Sequence, residues 1–112
     1  MEKILVVNND IDTMSLLTSW LEKKSYMVKY TGNKQEVPSL VKEFDPQLVM
    51  VDVLQKEVIE QLKDDDETRT IPVLLMTGHT FMQKNFQVPA DDTIEKPFNL
   101  NLLERKIERL IA

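Results

Sequence analysis

Three short apolar runs, Ile4–Val7, Leu48–Val53 and Val73–Met76, constrain what this chain can fold into more than any other feature. Each is too short for a helix and rich in β-branched or large aliphatic side chains, so each reads as a strand buried on both faces. Such strands need a layer above and a layer below, and the intervening stretches supply them. Asp12–Lys24 places Met14, Leu17 and Leu21 on one helical face, with Leu16 and Trp20 alongside. Lys34–Phe44 carries Val37, Leu40, Val41 and Phe44 at helical spacing, with Asn33 as the N-cap and Pro38 delaying the start. Lys56–Asp64 contributes Val58, Ile59 and Leu62, and Asn99–Ile111 contributes Leu100, Leu103, Ile107, Leu110 and Ile111. Met27–Thr31, stopped by Gly32-Asn33, and Thr93–Glu95, ended by Lys96-Pro97, read as two further strands. Strands alternating with helices predict an α/β domain with a parallel sheet and right-handed crossovers.

Composition narrows the function classes. At 112 residues one domain is expected. The absence of cysteine excludes disulfide scaffolds, thiolate zinc sites and thiol catalysis. A net charge of −5 argues against direct nucleic-acid binding, which needs a basic face for phosphates. No apolar stretch approaches a membrane span and no signal peptide is visible, so a cytoplasmic location is expected. With only 2 glycines, a glycine-rich phosphate loop is not available. The acidic run Asp64–Glu67 reads as a solvated loop, and His79, the only histidine, as an exposed loop residue.

In open parallel sheets, ligands bind beyond the carboxyl ends of the strands. The residues there are Asn8, Asn9, Asp10 and Asp12 after the first strand, Asp52 at the third, Thr77 at the fourth, and Lys96 after the last. A carboxylate inside an apolar strand is costly to bury unless it is paired. Asp52 is therefore either a structural carboxylate held by amides or Lys96, or a nucleophile or metal ligand. The joint placement of Asp52, Thr77 and Lys96 on one sheet edge is what gives these residues chemical content.

Four segments carry a resemblance. Lys3-Ile4-Leu5-Val6-Val7-Asn8-Asn9-Asp10 resembles the opening of receiver domains of two-component response regulators. Asp45–Asp52 is similar to the stretch ending in their phospho-accepting aspartate, and Ile71–Gly78 to their fourth strand and switch threonine. Ala90–Phe98 is similar to the segment bearing their lysine and the proline after it. The resemblance runs from Lys3 to Ile111 in the right order. It implies a flavodoxin-like three-layer sandwich, with a five-stranded parallel sheet of order 2-1-3-4-5 and about five helices. It also implies one receiver-like domain over 1–112 with no output domain.

The same resemblance implies a chemistry. Asp52 would accept a phosphoryl group from a histidine kinase or phosphotransfer protein, with Lys96 and Thr77 contacting the phosphoryl oxygens. Mg²⁺ would be held by Asp52, the Leu54 backbone carbonyl and the residues after the first strand, among them Asp10 and Asn9. The sequence departs from the pattern where an acidic pair is usual, because Asn8 and Asn9 stand there. At an effective dielectric of about 20, a carboxylate roughly 4 Å from a cation is worth a few kcal/mol before desolvation, so Mg²⁺ binding is expected to be weakened. Asp10 and Asp12 have a second reading, as caps of the first helix. Lys56 stands where a loop proline is usual, and Asp52 to Ile71 is short, which would bring Gln55 or Lys56 toward the pocket. Thr93 replaces an aromatic switch partner, and the short stretch 79–89 suggests a trimmed fourth helix.

Two readings follow. One is a phosphorylatable receiver signalling through a protein partner on the face formed by the fourth helix, fifth strand and fifth helix, roughly Thr80–Phe86 and Thr93–Arg109, which could also form a homodimer. The other is a pseudo-receiver, an interaction module not switched by phosphate. An enzyme is not expected. Dehalogenase-type hydrolases need a second acid two residues after the nucleophile, where Leu54 stands, and flavin sites need a Gly/Ser/Thr loop that this chain lacks. Trp20 reads as core or as partner contact, and Phe98 as packing beneath the last helix.

Overall fold

A computed structural model describes residues 2–78 and 88–112. Five strands, β1 (Lys3–Val7), β2 (Met27–Thr31), β3 (Leu48–Asp52), β4 (Val73–Thr77) and β5 (Asp92–Glu95), form one sheet of order β2-β1-β3-β4-β5. Every pairing is parallel. The described residues also carry helices α1 (Ile11–Lys23), α2 (Val37–Phe44), α3 (Glu57–Asp64) and α4 (Leu100–Ile111). The expected further helix, His79 and the Thr80–Phe86 part of the partner face lie outside the described residues. Among those described, no helix is long and apolar enough to cross a membrane.

Alternation along the strands divides the core in two. Ile4, Val6, Leu48, Met50, Leu74 and Met76 face α1 and α4, meeting Met14, Leu17, Leu21, Leu103 and Ile107. Leu5, Val7, Val49, Val51, Val73 and Leu75 face α2 and α3, meeting Val37, Val41, Phe44, Val58, Ile59 and Leu62. Both faces of β1, β3 and β4 are thus covered, which is why these strands read as unbroken apolar runs. Each fully buried aliphatic side chain contributes about 1.5–3 kcal/mol of transfer free energy. Trp20 and Phe98 are half-buried and pack on the α1/α4 cluster, while Leu16 is exposed.

Local chemistry sets the element ends. Asp10 caps α1, its carboxylate accepting from Asp12 N–H at 3.2 Å and from the Thr13 hydroxyl at 2.7 Å. Asn33 caps a 3-10 turn over Lys34–Glu36, and α2 follows with Pro38 in its first turn. Asp45 ends α2 in the left-handed region at φ 53°, a conformation Asp tolerates better than most side chains. Asn99 caps α4 by accepting from Leu102 N–H at 3.1 Å. The strand expected over Leu48–Val53 stops one residue earlier, because Val53 opens a 3-10 turn through Gln55. Gly32 packs so close to the β1 loop that a Cβ there would lie 3.0 Å from Asn9 Cβ.

Candidate functional site

The carboxyl ends of β1, β3, β4 and β5 bring Asn8, Asp52, Thr77 and Lys96 to one edge of the sheet. Val7 pairs with Val51 in register, so Asn8 and Asp52 come next on neighbouring strands. Both continue the alternation that places Val6 and Met50 on the α1/α4 face. Asp52 ends β3 with its side chain 6% exposed. Its Oδ1 accepts from Lys96 Nζ at 2.6 Å and its Oδ2 from Leu54 N–H at 3.0 Å. Each oxygen keeps a further lone pair, so a carboxylate held in this way is fixed in orientation and still nucleophilic.

Lys96 reaches Asp52 because β5 delivers it. The Lys96 N–H donates to Thr77 O at 2.7 Å, extending the β4–β5 ladder past Glu95. The Lys96–Pro97 peptide bond is cis. Lys106 Nζ holds Asp92 Oδ1 at 2.9 Å from α4, and Lys63 Nζ holds Asp91 Oδ2 at 2.8 Å from α3, so β5 is anchored from both sides. Burial pushes the Asp92 carboxyl up, but the hydrogen bond from Lys106 and the Thr93 N–H outweigh it and hold it below its ordinary value.

Thr77 is fully buried, and its hydroxyl has no hydrogen-bond partner among the described residues. Asn8 is 1% exposed; its Oδ1 accepts from Asp10 N–H at 2.7 Å, and its Nδ2 has no partner among the described residues. A buried polar group without a partner typically costs about 1–3 kcal/mol, so the Asn8 Nδ2 and the Thr77 hydroxyl, at the ends of the two strands that flank β3, are each donors with capacity to spare.

Both Asp10 oxygens are engaged at the start of α1, and the Thr13 hydroxyl bond is the main reason its carboxyl lies below the ordinary value. Asn9 is exposed against Gly32, and the Leu54 side chain is exposed while its N–H is spent on Asp52. Gln55 does not enter the pocket: it is buried, and its Nε2 donates to Gly32 O at 3.1 Å, tying the β3 loop to the end of β2. That clamp was not visible in the sequence, because the two residues are 23 positions apart and neither is unusual alone. A cavity of about 600 Å³ between α1 and Tyr30 shares Asn8 and Asn9 with this edge, but Asp52, Thr77 and Lys96 do not line it.

This donor set does not fit a hard divalent cation, which takes carboxylate and carbonyl oxygens. Lys96 offsets the charge of Asp52, both Asp10 oxygens are engaged at α1, and Asn8 spends its oxygen on Asp10 N–H and is left with its N–H₂ group. Among the described residues, no three Asp, Glu or His side chains group as metal ligands.

The model of the response regulator receiver domain matches residues 4–108. The chain is a receiver domain. It is 29% identical to the protein PilH of Pseudomonas aeruginosa, covering 100% of this chain and 99% of PilH. It is 27% identical to the DNA-binding dual master transcriptional regulator RpaA of a Synechocystis species, covering 99% of this chain and 49% of RpaA. The receiver thus spans about half the length of that relative. A crystal structure of a putative response regulator from Chloroflexus aurantiacus superposes with a TM-score of 0.91 at 21% identity, covering 99% of this chain and 98% of that one, and shows the same fold. The expected flavodoxin-like architecture with strand order 2-1-3-4-5 is therefore the observed one. Receiver domains typically bind Mg²⁺ at their active site.

Proposed function

We propose that this receiver accepts a phosphoryl group on Asp52 from a histidine kinase or phosphotransfer protein and signals through a protein partner. The observation carrying this reading is the buried Asp52 carboxylate held at 2.6 Å by Lys96, with the unpartnered Thr77 hydroxyl at the end of the neighbouring strand β4. In the transfer a free lone pair on an Asp52 oxygen attacks phosphorus, and the P–N bond to the donor imidazole breaks with its electron pair leaving on nitrogen. Lys96 offsets charge on the phosphoryl oxygens, and the Thr77 hydroxyl donates to one of them. Because Lys96 N–H is bonded to Thr77 O, movement of either residue is felt along β4 and β5, toward Thr93–Arg109. That stretch is the described part of the surface we assign to the partner.

The test is incubation with acetyl phosphate and MgCl₂, followed by intact-mass measurement. One phosphoryl adduct is expected in the wild-type protein and none in Asp52→Ala. An adduct that persists in Asp52→Ala would place the acceptor on another residue, and none in the wild type would leave the pseudo-receiver reading.

A further inference from the structure

The orientation of Asn8 is dictated by its neighbour. Its Oδ1 takes the Asp10 N–H at 2.7 Å, and flipping the amide would set N–H₂ against N–H, so Nδ2 must be the atom that remains. This donor is buried and unpartnered, one residue beyond the end of β1, the strand paired with β3, and the alternation through Val6 and Met50 carries Asn8 and Asp52 toward the same face of the sheet. Neighbouring strands lie about 4.8 Å apart, so a group attached to Asp52 comes within reach of it. The Thr77 hydroxyl is a second buried, unpartnered donor, and Lys96 Nζ is a third donor already on the carboxylate. What these three atoms share is a preference for anionic oxygen.

Charge points the same way. With asparagine at positions 8 and 9, Asp52 is the one carboxylate among the four edge residues Asn8, Asp52, Thr77 and Lys96, and Lys96 offsets it. Among these four residues a dianionic phosphoryl group meets no excess of negative charge, and the one further carboxylate whose charge is felt at Lys96, Asp10, is exposed to solvent at the start of α1. An acid at position 8 would create that excess.

Resting on the reading of Asp52 as acceptor, we infer that Lys96 Nζ, Asn8 Nδ2 and Thr77 Oγ1 bind the phosphoryl oxygens directly, in place of a divalent cation, so that Asp52 is phosphorylated without Mg²⁺. With phosphoramidate as donor, an Asp52 oxygen forms the new bond to phosphorus. The P–N bond breaks, and the already protonated nitrogen leaves with the bonding pair as ammonia.

The experiment follows adduct formation by intact mass with phosphoramidate, in EDTA and in millimolar MgCl₂. Rates within about threefold of each other are expected, a difference too small to reflect a lost catalytic ion. Faster reaction in MgCl₂ by more than that overturns the inference while leaving Asp52 as the acceptor. No adduct in either buffer overturns both.

Two variants, checked for folding by circular dichroism, locate the effect. Asn8→Ala removes the donor without adding charge, and should slow the EDTA reaction by about tenfold with no recovery in MgCl₂. Asn8→Asp should be slowed comparably in EDTA and should recover in MgCl₂. Wild-type rates in EDTA for both folded variants would dismiss Asn8 as a phosphoryl ligand and overturn the inference.

Discussion

Asp52 and Lys96 form a pair of unequal burial, with side chains 6% and 29% exposed. An exposed pair contributes little, whereas removing one partner of a buried pair leaves a stranded charge. This pair lies between those limits. Lys96→Met should therefore lower stability at pH 7 by about 2 kcal/mol, measured by urea unfolding. Asp52→Asn in the same background should recover most of that loss, because it removes the stranded charge; additive losses would show that the two residues act independently. The trio Asp52, Thr77 and Lys96 was legible in the sequence because Asp52 and Thr77 lie at the ends of apolar strand runs and Lys96, before Pro97, follows the short last strand, so the sheet has one edge to deliver them to. The role of Asn8 was only half legible. Its residue type announced the missing charge, but which end of the amide faces the site depends on Asp10 N–H, a contact that residue identity does not encode.

At the scale of elements, amphipathic spacing located the helices, and side-chain caps explain where α1, α4 and the 3-10 turn before α2 begin. Asp10, Asn33 and Asn99 each accept backbone N–H groups at the start of a turn. The links between loops were not legible, because they join residues distant in sequence whose geometry only the finished sheet creates. The Gln55–Gly32 bond is the clearest case. It ties the turn after Asp52 to the end of β2, and the tight approach of Gly32 to Asn9 passes that restraint on to the β1 loop. Gln55→Ala should cost about 1 kcal/mol, the scale of a part-buried hydrogen bond lost with its acceptor left behind. Hydrogen exchange should show the Leu54 and Asp10 amides, one bonded to Asp52 and the other to Asn8, losing protection well before those of β3. Unchanged protection at both amides would mean the clamp does not hold the loops.

For the molecule as a whole, the sign of the pH dependence follows from which carboxylates the fold favours in charged form. Asp10, Glu57, Asp65 and Asp92 all lie below their ordinary values, held chiefly by the Thr13 hydroxyl, Lys34, the Glu67 N–H and, against burial, Lys106 respectively. The folded state therefore binds fewer protons than the unfolded chain near pH 4. Their contribution is present above the ordinary carboxyl value of about 4, and is lost as pH falls through the lowered values. The net charge of −5 works in the opposite direction, since acidification first relieves self-repulsion. Most of these groups are exposed and screened by salt, whereas Asp92 is about three-quarters buried and anchors the start of β5, the strand that leads to Lys96. The urea midpoint should thus change little from pH 7 to pH 5 and fall steeply between pH 4 and pH 3. Asp92→Asn should flatten that acid limb more than Asp65→Asn, and the difference should survive high salt because the Asp92–Lys106 pair is sheltered. A midpoint that rises on acidification through pH 4 would mean that relief of net charge outweighs these paired carboxylates, and that β5 is not held by them.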